Sequence, residues 1–372
     1  MTLAVVLVHY HTPELAAAAY EALEQDLRQS GLAAEWVVVD NGSHPSERGA
    51  LERLPVRVIR PGRNLGYAGG ANLGVRQTTA ETVLLMNPDV LVLPGCVRAL
   101  RSALEEGAAA AGPRFFWDRE RHFLLPPTEK RTRREELLRV LGERGEPWAG
   151  IGRRRWRRHA RRCWQARQPY RCHELAGALL AFRRQAWQSL GGFDEGYRLY
   201  FEETDWLERL RAQRLEARFV PQAEAVHLFA QSTLGEPRAG DWFTESHQRF
   251  RRRFYGAGFV ALLELLDRLR RPAGSRPGGK ASGKATPAWL EVSTSPQGYP
   301  AAARPLSREA GEPFAFPESL RDRLPPDTCY YLRAVDERGR EVGLRALRTP
   351  SLAPPREHPT APGAPGLTGR AV

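Results

Sequence analysis

The chain has 372 residues, 42% of them hydrophobic and 27% charged, with a formal net charge of +13. That length and apolar content bury a full core and hold more than one unit, which excludes a wholly disordered chain. The positive balance suits acidic partners such as phosphorylated ligands, anionic lipid or nucleic acid, and no apolar run reaches the length of a membrane span.

Residues 3–9 are a β-branched apolar run and predict a first strand rather than a targeting segment, because no basic stretch or small-residue cleavage site accompanies them. Residues 13–29 predict a helix with Thr12 as its N-cap and Pro13 in its first turn. A second strand at 36–39 closes on Asp40-Asn41-Gly42-Ser43, and a third follows at 56–60. Residues 69–78 fit a helix, 82–86 a fourth strand and 93–104 another helix. Strands alternating with helices imply a doubly wound, mainly parallel sheet.

From 114 to 171 the composition changes: Arg153 to Arg158 and Arg161-Arg162 crowd one segment, with Trp148, Trp156 and Trp164 interleaved. This stretch reads as a solvated basic face or an anionic membrane surface, with nucleic acid set behind both. Residues 175–227 look globular again, and 243–269 read as one or two amphipathic helices. Residues 271–287 are a Pro/Gly/Ser/Lys linker. Strand patterns at 289–292, 330–335 and 341–347, the last two joined by the turn Asp336-Glu337-Arg338-Gly339, predict a small β-rich module over 288–350. The tail from 351 to 372 is Pro/Gly/Ala-rich and predicts disorder. Cys96, Cys163, Cys172 and Cys329 form no CxxC pair and predict reduced thiols in a cytoplasmic protein.

Four clusters carry the chemistry. Asp40-Asn41-Gly42-Ser43 puts a carboxylate at a strand end, although the same residues also make a tight turn. Asn64-Leu65-Gly66-Tyr67-Ala68-Gly69-Gly70-Ala71-Asn72 is a glycine-rich turn opening a helix; it predicts close backbone approach to a ligand and free helix N–H groups. Asn87-Pro88-Asp89 ends the fourth strand with a carboxylate at the sheet edge where α/β proteins bind ligands. Gly191-Gly192-Phe193-Asp194-Glu195 leads to Tyr200-Phe201-Glu202-Glu203-Thr204-Asp205, and His227 follows a strand-like pair.

In this order and spacing the clusters resemble the inverting family-2 nucleotide-diphospho-sugar glycosyltransferases, most closely the rhamnosyltransferase-type branch, over roughly residues 3–253. The resemblance implies a Rossmann-like GT-A domain over 1–270, with a nucleotide half at 1–112, the Arg/Trp-rich insert at 113–172 and an acceptor half at 173–270. It implies that a nucleotide is held by His9, Tyr10, Thr12, Asp40, Asn41, Ser43, Asn64, Gly69, Asn72 and Asn87, with Asp40 accepting the N3–H of a uracil or thymine ring. Asp89 and His227 would hold Mg²⁺ or Mn²⁺ jointly with the diphosphate, Asn87 standing where the family usually has a first aspartate. Glu203, with Glu202 as fallback, would take the acceptor hydroxyl's proton, and Asp194, Glu195 and Asp205 would face the acceptor.

The implied activity moves rhamnose or a similar sugar from a dTDP- or UDP-sugar to a glycan or lipid-linked acceptor in cell-surface polysaccharide synthesis. The implied setting is the cytoplasm, on the inner face of the plasma membrane. Two rival classes share part of this pattern. A nucleotidyltransferase would carry a glycine-rich, basic loop after the first strand, where this chain has His9-Tyr10-His11-Thr12-Pro13. A non-catalytic sugar-nucleotide or polyanion binder would keep the same fold.

Overall fold

The computed structural model describes residues 1–47, 49–228, 238–269, 286–306, 314, 320 and 324–350. Most of the expected linker and the whole expected tail lie outside them.

The nucleotide half runs β1 (Leu3–His9), α1 (Pro13–Ser30), β2 (Glu35–Asp40), α2 (Gly49–Glu52), β3 (Arg57–Ile59), α3 (Gly66–Arg76), β4 (Thr82–Met86), β5 (Val90–Val92), α4 (Cys96–Glu105) and β6 (Ala110–Phe116). The insert forms α5 (Arg133–Gly142) and α6 (Trp148–Trp164). Then come β7 (Tyr170–Arg171), β8 (Leu179–Arg183), α7 (Arg184–Leu190), α8 (Glu202–Ala212), β9 (Ala217–His227), α9 (Ala239–Tyr255) and α10 (Ala257–Arg268). The module contributes β10 (Trp289–Ser293), β11 (Ala302–Pro305), β12 (Cys329–Val335) and β13 (Glu341–Arg348).

The first sheet has nine strands in the order β3-β2-β1-β4-β8-β6-β9-β5, with β7 on β9. β1, β2, β3, β4, β6 and β9 share one direction, and β5, β7 and β8 oppose it. The expected α/β fold with a mainly parallel sheet is therefore present. Period-2 alternation sends Leu3, Val5 and Leu7 of β1 to the layer holding α1 and α4, and Val6 and Val8 to the layer holding α3 and α8. Both faces are covered, which is why these strands read as continuous apolar runs.

The short strands β5 and β7 escape a sequence reading because a few residues carry no period. The expected helix at 69–78 begins earlier, at Gly66, whose φ of +75° starts the turn. Thr12 precedes α1 as expected, but its hydroxyl makes no capping bond. The amphipathic stretch after 239 splits into two helices at Gly256, where φ is +81°.

The second sheet is antiparallel, in the order β11-β10-β12-β13, and the expected turn at Asp336 joins β12 to β13. It packs directly on the insert: Leu124 and Ala303 exchange two backbone hydrogen bonds, and Trp164 stacks on Trp289 at 5.6 Å.

The arginine run of α6 is the reason for that packing, which corrects the reading of 153–162 as one open basic face. Arg157, 4% exposed, forks onto Glu291 and reaches Glu341 at 2.9 Å. Arg153 pairs with Glu146 and Glu341, Arg155 with Glu135, and Arg161 donates to the carbonyls of Asp336 and Glu337. A buried charge stripped of its partner costs roughly 3–5 kcal/mol, so Arg157 with Glu291 and Glu341 holds the module in one register. Arg154, Arg158 and Arg162, one helical turn apart, stay exposed. All four cysteines are free thiols, and no helix among the described residues is long and apolar enough to cross a membrane.

Candidate active site

β1, β2 and β4 end side by side. His9 is the register partner of Asp40, and Leu7 that of Met86, so both acidic turns leave the same sheet edge, roughly 10 Å apart across β1. After β4 the Asn87 N–H bonds the carbonyl of Ala178 at 2.8 Å, and Pro88 ends the ladder. The chain then re-enters as β5, whose Val90 pairs with His227 of β9. That register sets the Nε2 of His227 3.4 Å from the Oδ1 of Asp89.

One cleft of about 370 Å³ runs along this edge, a size that suits a small ligand. Its walls include His9, Tyr10, Asn41, Asn64, Tyr67, Asn87, Gly177, Arg198, Tyr200, Glu202, Glu203, His227 and Trp242. Among the described residues both ring nitrogens of His9, the Oδ1 of Asn87 and the Oε2 of Glu202 are buried without hydrogen-bond partners. Leaving such groups unpaired costs about 1–3 kcal/mol each. Their convergence in one cleft is what a polar ligand site requires.

The charges divide by environment. Burial holds His9 below its ordinary pKa, outweighing the nearby Asp40 carboxylate 3.8 Å away, so His9 is a neutral imidazole. Burial opposes ionisation of Asp40 too, but the backbone N–H and side chain of Ser43, together with His9 and Arg60, bring its pKa below the ordinary value. Glu202 and Glu203 open α8 inside the cleft. Burial and then the charge of Glu203 push Glu202 far up, so it keeps its proton. Burial also raises Glu203, but the backbone N–H groups of Glu203, Thr204 and Gly177 and the charge of Arg131 hold it back. Glu203 is therefore the more readily ionised of the two. Tyr200 and Phe201, just ahead of them, both adopt left-handed φ values, 68° and 69°. Such strain in non-glycine residues persists where surrounding structure imposes it, and it clusters at functional sites.

Asp89 and His227 fit a divalent cation. Their donor atoms stand 3.4 Å apart at the cleft, a span that one ion can bridge. The carboxylate suits Mg²⁺ or Mn²⁺ and the imidazole suits a softer divalent ion, and two protein ligands would leave room for phosphate oxygens and water.

Residues 4–185 match Glycosyl transferase family 2. The chain is 31% identical over 241 residues to an N-acetylglucosaminyl-diphospho-decaprenol L-rhamnosyltransferase of Mycobacterium tuberculosis, covering 58% of this chain and 74% of that protein. The chain belongs to glycosyltransferase family 2. This glycosyltransferase is also 24% identical over 282 residues to the low-salt glycan biosynthesis hexosyltransferase Agl10 of Haloferax volcanii, covering 72% and 79% of the two chains. Among solved structures it is similar to the mannosyltransferase PcManGT of Pyrobaculum calidifontis in complex with GDP-Man and Mn²⁺, with a TM-score of 0.43 and 16% identity over 72% of this chain and 69% of that one.

The transferase brings His9, Tyr10, Asn41, Asn64, Asn87, Glu202, Glu203 and His227 to the cleft wall. Asp40 and Asp89 sit just behind it, 2% and 0% exposed, each touching a wall histidine. Other expected site residues work at a distance. Ser43 holds Asp40 and accepts the His11 N–H. Asn72 spends its amide on both backbone groups of Phe193 and on Glu195.

The three residues expected to face the acceptor are spent on protein partners instead. Asp194 takes Arg249 and Arg253. Glu195 accepts from Asn72 and lies 3.9 Å from Arg76. Asp205 takes Arg209, Arg253 and the hydroxyl of Tyr197.

The glycine-rich turn is corrected in its physics. The N–H groups of Leu65, Gly66 and Tyr67 donate to Asn41, Asn64 and the Arg198 carbonyl, so none of the three is free for an anion. A Cβ on Gly70 or Gly74 would strike Val8 or Val6, and one on Gly69 would strike Leu65. These glycines let α3 lie against β1 rather than admit a ligand.

Tyr67, Gly177, Arg198 and Trp242 were missed. Only the small run Ala176-Gly177-Ala178 before a strand hinted at one of them. A Cβ on Gly177 would lie 3.0–3.3 Å from the Cγ, Cβ and Cδ of Glu203. Gly177→Ala is therefore expected to displace Glu203 and lower kcat by roughly 100-fold with donor affinity unchanged. Steady-state kinetics beside donor titration check this, and an unaltered kcat would remove Glu203 from the proton transfer.

Proposed function

We propose that this glycosyltransferase moves a hexosyl residue, rhamnose or a close relative, from a dTDP- or UDP-sugar to a hydroxyl of a lipid-linked glycan, with inversion, in cell-surface polysaccharide synthesis. The observation that carries the reading is the glutamate pair in the same cleft as His227, with Asp89 3.4 Å from that histidine. The rhamnosyl and lipid-diphosphate parts draw on the name of the mycobacterial relative.

The nucleotide would lie along His9, Tyr10, Asn41 and Asn64, above Asp40, with its diphosphate toward Asp89 and His227. A divalent cation held by Asp89 and His227 would neutralise charge on the departing diphosphate. The acceptor hydroxyl approaches Glu203, whose carboxylate takes its proton as the oxygen attacks the anomeric carbon. The new carbon–oxygen bond forms on the face opposite the leaving nucleoside diphosphate, which departs with the electron pair of the broken bond. Glu202, already protonated, does not compete for that proton. Arg131 and the three backbone N–H groups keep Glu203 ionised between turnovers.

Contact with a lipid surface is part of the reading. Leu262, Leu265 and Leu269 are 44%, 53% and 63% exposed along or just beyond α10, and Trp148 is 43% exposed. Arg154, exposed on α6, would meet anionic headgroups.

Thermal stabilisation by a panel of nucleoside-diphosphate sugars with Mn²⁺ tests the donor assignment. A ligand at 100 times its Kd adds about 2.7 kcal/mol, so the true donor stands out. Product anomers read by NMR test inversion. Stabilisation by no uridine or thymidine diphosphate sugar, or a retained anomer, sinks the proposal.

A further inference from the structure

A second cavity, of about 320 Å³, lies between α5, α6, the loop before α5 and Tyr299 of the module. Its carboxylates are already engaged: Glu129 with Arg131, Glu135 with Arg155, and Glu136 with Arg139, Arg251 and His247. Lys130, Arg158 and Arg162 also line it, and among the described residues none of the three has a carboxylate within ion-pair distance. Arg162 instead rests over the ring of Tyr170, 4.3 Å from its centroid. Arg158 and Arg162 belong to the exposed row of α6, one turn apart, while the neighbouring row is consumed in holding the module.

A second observation points to an anion. Trp156, 7% exposed and in the cavity wall, has its indole Nε1 buried with no hydrogen-bond partner among the described residues. An indole N–H can only donate, so an acceptor oxygen is what would complete this wall. The position of the cavity relates it to the acceptor side. Arg131 lines it and also stands 5.0 Å over the ring of Phe201, next to the glutamate pair, where its charge acts on Glu203. A ligand here sits on the side of the acceptor base. The donor's phosphates have their own place at Asp89 and His227.

We propose that this cavity binds the diphosphate of a polyprenyl-diphosphate-linked acceptor, with Lys130, Arg158 and Arg162 as its cations and the Trp156 N–H as a further donor. The inference rests on the functional reading above, and it assigns the part of the acceptor that does not react. Charge-assisted contacts to phosphate oxygens are strong and directional. They would hold the lipid end while the sugar hydroxyl reaches Glu203, so remote binding energy serves the positioning of the reacting group.

The test uses the full chain and farnesyl diphosphate as probe, titrated with EDTA present to silence the metal-dependent donor site. Farnesyl diphosphate is expected to bind the wild type, and the Arg158→Gln/Arg162→Gln double variant to bind it at least roughly tenfold more weakly. Lys130→Gln is expected to weaken it in the same direction. Both arginines are exposed, so the fold should survive, and a thermal melt checks that. Inorganic pyrophosphate is expected to compete, which identifies the phosphates as the recognised part.

Absence of wild-type binding or equal affinity in the variants would overturn the assignment. So would a double variant that loses only its binding to anionic phospholipid vesicles, since the row would then be a plain membrane contact. Failure of the wild type to bind any sugar nucleotide would instead strike the functional reading, and that result is read in a separate titration.

Discussion

Glu203→Gln is expected to lower turnover by roughly 10²–10⁴-fold with the Kd for the sugar nucleotide unchanged. The amide keeps the size and hydrogen-bonding reach of the side chain but cannot take a proton. Its neighbour supplies the control. Glu202 is the more deeply buried of the two and keeps its proton, so Glu202→Gln mimics the state it already holds.

The pH dependence separates them further. Both folded-state values lie above the ordinary 4.5, burial being the first cause in each. Activity that needs ionised Glu203 therefore rises with pH along an acid limb displaced upward from 4.5. In Glu202→Gln no charge is removed, because Glu202 is already neutral, so the limb stays in place. The stability sign is the reverse. A carboxyl whose folded pKa exceeds its unfolded one contributes fully below the unfolded value, and the contribution is lost as pH rises through the folded one. Glu202→Gln is thus expected to flatten the loss of thermal stability above pH 4.5. A pH–rate profile and a series of melts measure both effects. An acid limb moved down by Glu202→Gln would refute the division of roles.

The second large effect is at Asp89. Asp89→Ala is expected to abolish transfer, a loss of at least roughly 10³-fold, and to erase the gain in nucleoside diphosphate affinity that Mn²⁺ gives the wild type. Asp89 is fully buried and its carbonyl accepts the Leu228 N–H, so the near-isosteric Asp89→Asn is the companion variant. It keeps the packing and loses the charge. Titration of UDP and dTDP with Mn²⁺ and with EDTA reads the effect apart from turnover. An unchanged metal dependence in Asp89→Asn would take Asp89 out of the cation site. His227→Ala is expected to weaken the same dependence without removing it, since one carboxylate remains.

Strand ends were the most legible part of this chain. β1, β2 and β4 are short apolar runs closed by turn residues, and both signals are local. The order of the clusters marked the family, and with it the expected place of Asp40, Asp89 and the glutamate pair. The glycine-rich turn misled because a glycine reports only that something comes close. Here the close neighbours are Val6, Val8 and Leu65 rather than a ligand. The arginine run misled because α6 presents three rows a quarter-turn or so apart, and charge alone does not say which row has carboxylates opposite it.

The same holds for the acidic residues. Asp194 and Asp205 read like Glu203 in composition and setting. The first two are neutralised by arginines of α8 and α9, contributed largely from later in the chain. By itself the sequence determined strands β1 to β4, where the acidic turns leave them and which two glutamates stand together. Only the tertiary structure decided which glutamate keeps the proton, which arginines remain unspent and which carboxylates meet the cleft. Those outcomes depend on burial and on partners brought in from distant segments, such as Gly177 and Arg131 at Glu203, and no local pattern encodes them.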